Sequence, residues 1–451
     1  MLTFIHLSDI HFGRGDDGSQ FDLNQHIRRA VLADLPTRPA GGAEYDALLI
    51  TGDIAYAGKK GEYDTAKHFL EEVYSQTGLS MKDTYVVPGN HDVDRSHVQP
   101  TFPLWASHAE IRQHANPAHW RATIQTQLQK DPSRLLLSPF HTYNDFAQGC
   151  DCSTTPHQLA WSLEFPRPLE LGFRVRLHGL NSALISDQGD DPAKLLVSEF
   201  QTAKLCFTPG EVNVVMSHHP PDWLMDKAEV RQILRRFAPL ALFGHEHSAR
   251  LQADERQVQL FAGALQPDRD AQGWLPTYHI VQLAVDGPEE RPKLLVRVHT
   301  REFHDYRFRP WRNEDDTLVF ERRLDLVPRP PAAARALVTE PAGSNSVLNS
   351  SLDMPTANTN NVNTAAIDVA DARRQLRVNF FQLRTPLRYE AAFKAGLLRD
   401  GDDALDPQVM WAEVFRRAEE ENRLAAFWAA VAAHTPTMTE TPNLFPTNPN
   451  A

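Results

Sequence analysis

Cysteine is scarce in this chain: three residues in 451, two of them spaced one apart at Cys150 and Cys152. So few, and an odd number, exclude a disulfide-stapled secreted scaffold and fit a reducing, cytoplasmic setting. Long apolar runs are missing too. None approaches the ~20 residues a membrane-spanning helix needs, so no membrane association is expected. The N-terminus, MLTFIHLSDIHFG, lacks a basic stretch followed by an apolar one and does not read as a signal peptide, so none is expected. Basic charge is in deficit, with 46 Lys plus Arg against 58 Asp plus Glu and a net charge of −12. That balance argues against coating DNA or membranes by bulk charge, while leaving room for a local basic groove. At 41% hydrophobic, 23% charged and 9% aromatic residues, the composition is that of a globular protein. Roughly 150 residues per domain allows about three domains.

Residues 1–300 alternate apolar strand-like runs with helical patterns, which predicts an α/β layered fold. The expected strands are Leu2–Leu7, Ala47–Thr51, Thr84–Val87, Phe173–Leu180, Val212–Ser217, Leu240–Phe243, Val258–Ala262, Tyr278–Ala284 and Lys293–Val298. Ala66, Phe69, Leu70 and Val73 fall at helical spacing within Tyr63–Ser75, and Gly78 follows as a stop. Residues 94–170 read as a helix-rich, His-rich insertion flanking the sheet, with a cap over the site as one reading. Composition changes after residue 327. The 26 residues from 341 to 366 hold six Asn, seven Ser or Thr, no aromatic and one charge, Asp353. Such a stretch buries too little apolar surface to offset its ordering entropy, so 328–370 is expected to be a flexible linker. Thr385-Pro386 reads as an N-cap with Pro at the first helical position, Gly396 as the matching stop, and Asp406-Pro407 as a second start. Residues 371–434 are thus a small helical domain, and 435–451 a disordered tail.

Five short motifs stand at the carboxyl ends of predicted strands: Asp9-x-His11, Gly52-Asp53, Gly89-Asn90-His91-Asp92, His218-His219-Pro220 and Gly244-His245-Glu246-His247. Ligands of α/β sheets gather there. In an extended chain, residues i and i+2 point the same way, so Asp9/His11 and His245/His247 are each expected to grip one ion. Carboxylate, imidazole and one amide oxygen, without thiolate, suit Mn, Fe, Zn or Ni and disfavour a Ca site. Any one motif alone is as well explained by a turn residue or a solvated histidine. The ordered set is not.

That ordered set resembles the calcineurin-like metallophosphoesterase superfamily over roughly residues 1–300. The wording SDIH, VPGNHD, SHHP and GHEH is most similar to class III cyclic-nucleotide phosphodiesterases, and nucleases that process broken DNA ends share the ligand order. The resemblance implies a layered β-sandwich flanked by helices over 1–327 and a dinuclear centre of divalent transition metals, Mn first among them. It assigns Asp9, His11 and His247 to one ion, Asn90, His218 and His245 to the other, and Asp53 to both. It implies hydrolysis of a phosphodiester by a metal-bridging hydroxide, with His91 as general acid and Asp92 orienting His91. His219 is open between a substrate contact and a support for its loop. Glu246 is expected to face away from its flanking ligands, and Asn181 to cap a loop. Cys150 and Cys152 read as small side chains sooner than as ligands.

The helical domain carries no catalytic signature. Its phrases LRTPLRYEAAFKAGLL and WAEVFRRAEEENRLAAFWAAV resemble effector-associated or death-like adaptor domains fused to bacterial enzymes. The resemblance implies a protein partner or self-association through 371–434, and docking on the catalytic domain is the competing expectation. Three functions follow from these features. The first is a cytoplasmic phosphodiesterase acting on a cyclic nucleotide or nucleic acid. The second is a metal-dependent nuclease effector of a bacterial defence system recruited by the helical domain. The third is a scaffold with a vestigial metal site.

Overall fold

The computed structural model describes residues 1–15, 22–38, 40–98, 102–113, 117–130, 135–266, 275–312 and 317–328. Beyond these it describes 372–399, 401, 402, 405, 407–435, 438, 443 and 445. Two mixed sheets form the larger part. One runs in the order β12-β11-β10-β1-β2-β3, with β13 paired to β11. Its strands are β1 (Leu2–Leu7), β2 (Ala47–Ile50), β3 (Thr84–Val86), β10 (Thr277–Asp286), β11 (Lys293–His304), β12 (Arg307–Pro310) and β13 (Phe320–Asp325). The other runs β4-β5-β6-β7-β9-β8. It contains β4 (Trp161–Glu164), β5 (Arg174–Leu180), β6 (Glu211–Ser217), β7 (Leu240–Phe243), β8 (Arg250–Ala253) and β9 (Val258–Phe261).

Burial explains which strands the sequence announces. Strands β1, β2 and β7 are buried at every position, as central parallel strands covered on both faces are. All nine expected strands form, with ends shifted by a few residues. Four more, β4, β8, β12 and β13, lie at or near sheet margins. Their sequences WSLE, RLQA, RFRP and FERRLD carry too many polar residues to read as buried strands.

Helices cover the sheets: α1 (Gln25–Asp34), α2 (Lys60–Thr77), α3 (Arg95–Val98), α4 (Phe102–Gln113), α5 (Pro117–Lys130), α6 (His141–Ala147), α7 (Glu199–Thr202) and α8 (Lys227–Phe237). Gly78 ends α2 in the left-handed conformation at φ +80°, as its position predicts. From the insertion, Tyr143 and Phe146 of α6 pack on Tyr63 of α2. Arg112 of α4 ties the helix to Asp187 and Asp190 in the loop after β5. Apolar side chains draw the insertion onto the flank of the first sheet. Cys150 and Cys152 are buried there as free thiols.

The helical domain has its own core, with Phe380, Trp411, Phe415, Phe427 and Trp428 at its centre. Its helices are α9 (372–382), α10 (Thr385–Lys394), α11 (Pro407–Glu420) and α12 (Leu424–Ala432). Arg384, not Thr385, is the N-cap of α10, one residue earlier than expected, and Pro386 sits in its first turn. Residue 406 and the expected linker from 329 onward lie outside the described residues. The tail differs from expectation: Met438 and Phe445 are buried in the helical core, and Phe445 meets Trp428 edge-on.

Among the described residues, two arginines of α9 reach the larger part. Arg374 of α9 is buried, lies over the Tyr85 ring at 3.9 Å, and donates hydrogen bonds to the carbonyls of Lys82 and Thr84. Arg377 pairs with Asp151 at 3.2 Å. The docking expectation therefore holds for α9.

Candidate metal centre

Every motif residue sits just past a strand, where the two sheets meet. Backbone hydrogen bonds extend the β1/β2 ladder into the loops, from Asp9 N to Gly52 O and from Ile10 N and His11 N to Asp53 O. Within the second sheet Gly244 N bonds His218 O, and across the sheets the His218 ring donates from Nδ1 to Thr51 O at 2.7 Å. The loops of β1, β2, β3, β6 and β7 are thereby locked together.

The ligand-bearing backbone is not extended, contrary to the alternation predicted for Asp9/His11 and His245/His247. Asp9 (φ +52°), His11 (+54°), Asp53 (+51°), His245 (+70°) and His247 (+57°) all occupy the left-handed region. Only glycine enters it freely, and Asp, Asn and His tolerate it better than other residues. Asp9 and His11 still converge, because each turns sharply inward at a strand end, whereas His245 and His247 part, one to each group of side chains. Such strain costs on the order of 1 kcal/mol per residue and persists where surrounding structure imposes it. The adjoining glycines leave no alternative. A Cβ on Gly52, itself at φ +92°, would lie 2.6 Å from His218 Nδ1, and one on Gly89 would overlap the Asp53 carboxylate.

The side chains form two groups with Asp53 between them. Asp9, His11 and His247 offer ligand atoms within 4.8 Å of one another, and so do His218, His219 and His245. Asp53 Oδ2 lies 3.1 Å from His11 Nε2 and 3.3 Å from His218 Nε2. Its other oxygen accepts the His91 backbone N–H at 2.8 Å. Asn90 Oδ1 is 3.1 Å from each of three imidazole nitrogens, on His218, His219 and His245. All seven predicted ligands are brought together.

Electrostatics follow from this crowding. Burial opposes ionisation of Asp9 and Asp53, but the facing histidines outweigh it and hold both carboxyls well below the usual range. Burial also works against a charged His218, yet Asp53 beside it raises the ring to about 9. By contrast, burial together with His218 lowers His245 to about 3.

Two observations show that divalent ions fit. Asp9 Oδ1 is buried and accepts no aligned hydrogen bond, although His247 Nε2 is 3.1 Å away. An amide oxygen has two lone pairs, whereas Asn90 Oδ1 faces three imidazole nitrogens. Ligand atoms ~2.1 Å from one ion, at angles of 90–109°, stand about 3.0–3.4 Å apart, and the separations here fall at that spacing.

His91 is stacked on Tyr56, with ring centres 5.0 Å apart, and donates from Nδ1 to Tyr56 O at 2.7 Å. Burial lowers its pKa against the pull of Asp53. Asp92 is corrected: it does not orient His91. Its carboxylate accepts from Gly89 N, Ala55 N, Ile54 N and Tyr63 OH. Burial, and then the Asp53 charge, raise its pKa to about 6. The chain needs those loop amides satisfied, and Asp92 is the acceptor within reach. Glu246 turns away to pair with Arg250, and Asn181 accepts from Ala183 N as a loop cap. Sequence reasoning missed Tyr56 and Trp223, whose ring stands 4.0 Å from His245. Each lies three residues past a motif, Tyr56 after Asp53 and Trp223 after Pro220, but an aromatic in a loop carries no ligand signal of its own.

Residues 2–249, more than half the chain, match the calcineurin-like phosphoesterase family. The chain belongs to that family. Its members are metal-dependent phosphoesterases that use divalent ions. Residues 372–433 match the GTPase-associated adaptor domain. The uncharacterized metallophosphoesterase-like protein YydB of Bacillus subtilis (strain 168) is 24% identical over 305 residues, 64% of this chain and 58% of YydB. The chain thus spans less than two thirds of that curated relative's length. Solved structures with related folds include GAP50, the anchor in the inner membrane complex of Plasmodium (11% identity, TM-score 0.38, 78% of this chain and 99% of that one). Another is a putative 5′-nucleotidase from Staphylococcus aureus (14%, TM-score 0.32, 63% and 51%). Among the described residues, no helix is long and apolar enough to cross a membrane.

Proposed function

We propose that the protein is a two-metal phosphodiesterase. Asp9, His11, Asp53 and His247 hold one divalent ion, and Asp53, Asn90, His218 and His245 the other. The single observation that carries this is Asp53, one carboxylate oxygen facing a histidine of each group at 3.1 and 3.3 Å. Ions bound there, of the Mn, Fe, Zn or Ni class, supply an activated water and offset charge on the phosphoryl oxygens.

The chain's own residues do the rest. His91, with Nδ1 engaged by Tyr56 O, has Nε2 left for the leaving oxygen. Its lowered pKa makes the imidazolium a stronger acid, although a smaller fraction is protonated at neutral pH. Asp92 fixes the turn from which His91 projects. Exposed Tyr56 and half-buried Trp223 offer aromatic surfaces to the second ester group of a diester. A monoester has no such group. The free thiols suit a cytoplasmic location.

A second reading is a nuclease recruited through the adaptor domain, which would bind a protein partner or a second copy. It is favoured by Arg14, whose guanidinium lies 5.5 Å over Tyr56 and makes a cationic, stacking surface beside the site. A substrate panel tests both: p-nitrophenyl phosphate, bis-p-nitrophenyl phosphate, cyclic nucleotides, single-stranded DNA and RNA. Faster turnover of the diesters is expected. Preference for the monoester would overturn the diesterase reading, and preference for polynucleotides over cyclic nucleotides would establish the nuclease.

A further inference from the structure

We infer that His219 is an additional ligand of the second ion, which gives that position three imidazoles beside the Asn90 amide oxygen and the shared Asp53 carboxylate. The inference rests on the two-metal reading and extends it to a residue outside the seven-ligand set.

His219 is fully buried, and its Nε2 lies 3.1 Å from Asn90 Oδ1, as His218 Nε2 and His245 Nδ1 do. A plain hydrogen bond from His219 to the amide is the competing explanation. Geometry weighs against it. Three imidazole nitrogens, on His218, His219 and His245, stand 3.1 Å from this one amide oxygen, whose two lone pairs accept only two donors. One cation among them satisfies all four groups. The Ser182 hydroxyl lies 3.0 Å from His219 Nδ1 and also accepts the His219 backbone N–H, which fixes the ring with Nε2 turned inward. A partner on the far nitrogen is the usual support of a metal-bound histidine.

The consequence is an unequal pair of sites. The first has two imidazoles and two carboxylates; the second has three imidazoles, one amide and the shared carboxylate. Imidazole-rich positions suit Zn, Fe or Ni, while oxygen-rich ones suit Mn and Mg. The second position should therefore discriminate more strongly against Mn.

The test uses the full chain. Zn²⁺ is titrated against a chromophoric chelator, and the Co²⁺-loaded protein is followed by its visible absorption, for the unaltered protein and for His219→Leu, His219→Ala and His219→Asp. Expected are a loss of at least tenfold in affinity for one of two ions in His219→Leu and His219→Ala, and a changed cobalt spectrum. Partial recovery is expected in His219→Asp, which restores a donor atom. Circular dichroism selects the folded variants, and His219→Leu keeps the volume if His219→Ala collapses. Two ions bound with unchanged affinity and an unchanged spectrum in His219→Leu would overturn the assignment, and a raised KM alone would make His219 a substrate contact. If the unaltered protein bound fewer than two ions, the two-metal reading itself would fail.

Discussion

His218 hands its Nδ1 hydrogen to the carbonyl of Thr51, at 2.7 Å, and so presents Nε2 toward Asp53 and Asn90. A residue at the end of β6 is aimed by the end of β2, which belongs to the other sheet. Metal content should show this dependence. Elemental analysis of protein loaded with Mn or Zn should find close to two ions per chain, about one in His218→Ala, and fewer than one in Asp53→Ala. Retention of both ions in Asp53→Ala would remove the bridging role.

His91→Ala should keep its metals but lose roughly 10²–10⁴ in turnover on diesters with poor leaving groups. The loss should be much smaller for p-nitrophenyl esters, whose leaving group barely needs a proton. Steady-state kinetics on the two substrate types checks this, and equal losses would assign His91 to phosphate binding.

Asp92→Asn should act through stability. Its carboxylate accepts three backbone N–H groups and the Tyr63 hydroxyl, and an amide would turn an N–H toward one pair of those donors. Each buried donor left unsatisfied costs about 1–3 kcal/mol. A fall of several degrees in Tm is expected, and loss of activity without loss of stability would restore a direct role.

Acid should weaken the metal-free fold through His279. Burial lowers this ring to about 3, where it stacks against the buried His6. The unfolded chain titrates near 6.5, so the contribution is fully present above that pH and is lost as pH falls from 6.5 toward 3. At pH 5 the loss is about 2 kcal/mol. Urea unfolding at pH 7 and pH 5 should show a smaller difference in His279→Leu than in the unaltered protein.

Arg374→Ala should free α9 from the phosphoesterase part. Hydrogen bonds from a charged donor contribute about 1.5–3 kcal/mol each, and this guanidinium makes two. Limited proteolysis should release the helical domain sooner, while hydrolysis of a small diester stays nearly unchanged. Lost activity with both metals retained would draw the helical domain into the site.

What the sequence made legible follows the physics of burial and residue type. The central strands announced themselves because they are apolar throughout; β8 and β13 did not, because a sheet margin tolerates RLQA and FERRLD. The seven candidate ligands were legible as residue types in order; the convergence of Asp9 with His11 was foreseen for the wrong reason, and that of His245 with His247 does not occur. Alternation suggested extended pairs, whereas left-handed turns aim them. Asp92 was misjudged because proximity in sequence to His91 says nothing of the four donors the fold brings to it. Arg374 was invisible, since its partners are carbonyls some 290 residues away.

Five inward turns held by backbone hydrogen bonds and by glycines that admit no Cβ imply a cavity shaped before any ion arrives. A zinc finger gathers its ligands only as it folds around the metal. Here a chelator should empty the centre and leave the secondary structure intact, and added ions should refill it without a refolding delay. Such a centre can be supplied with different ions in turn, so its chemistry depends on which metal is at hand as much as on the gene.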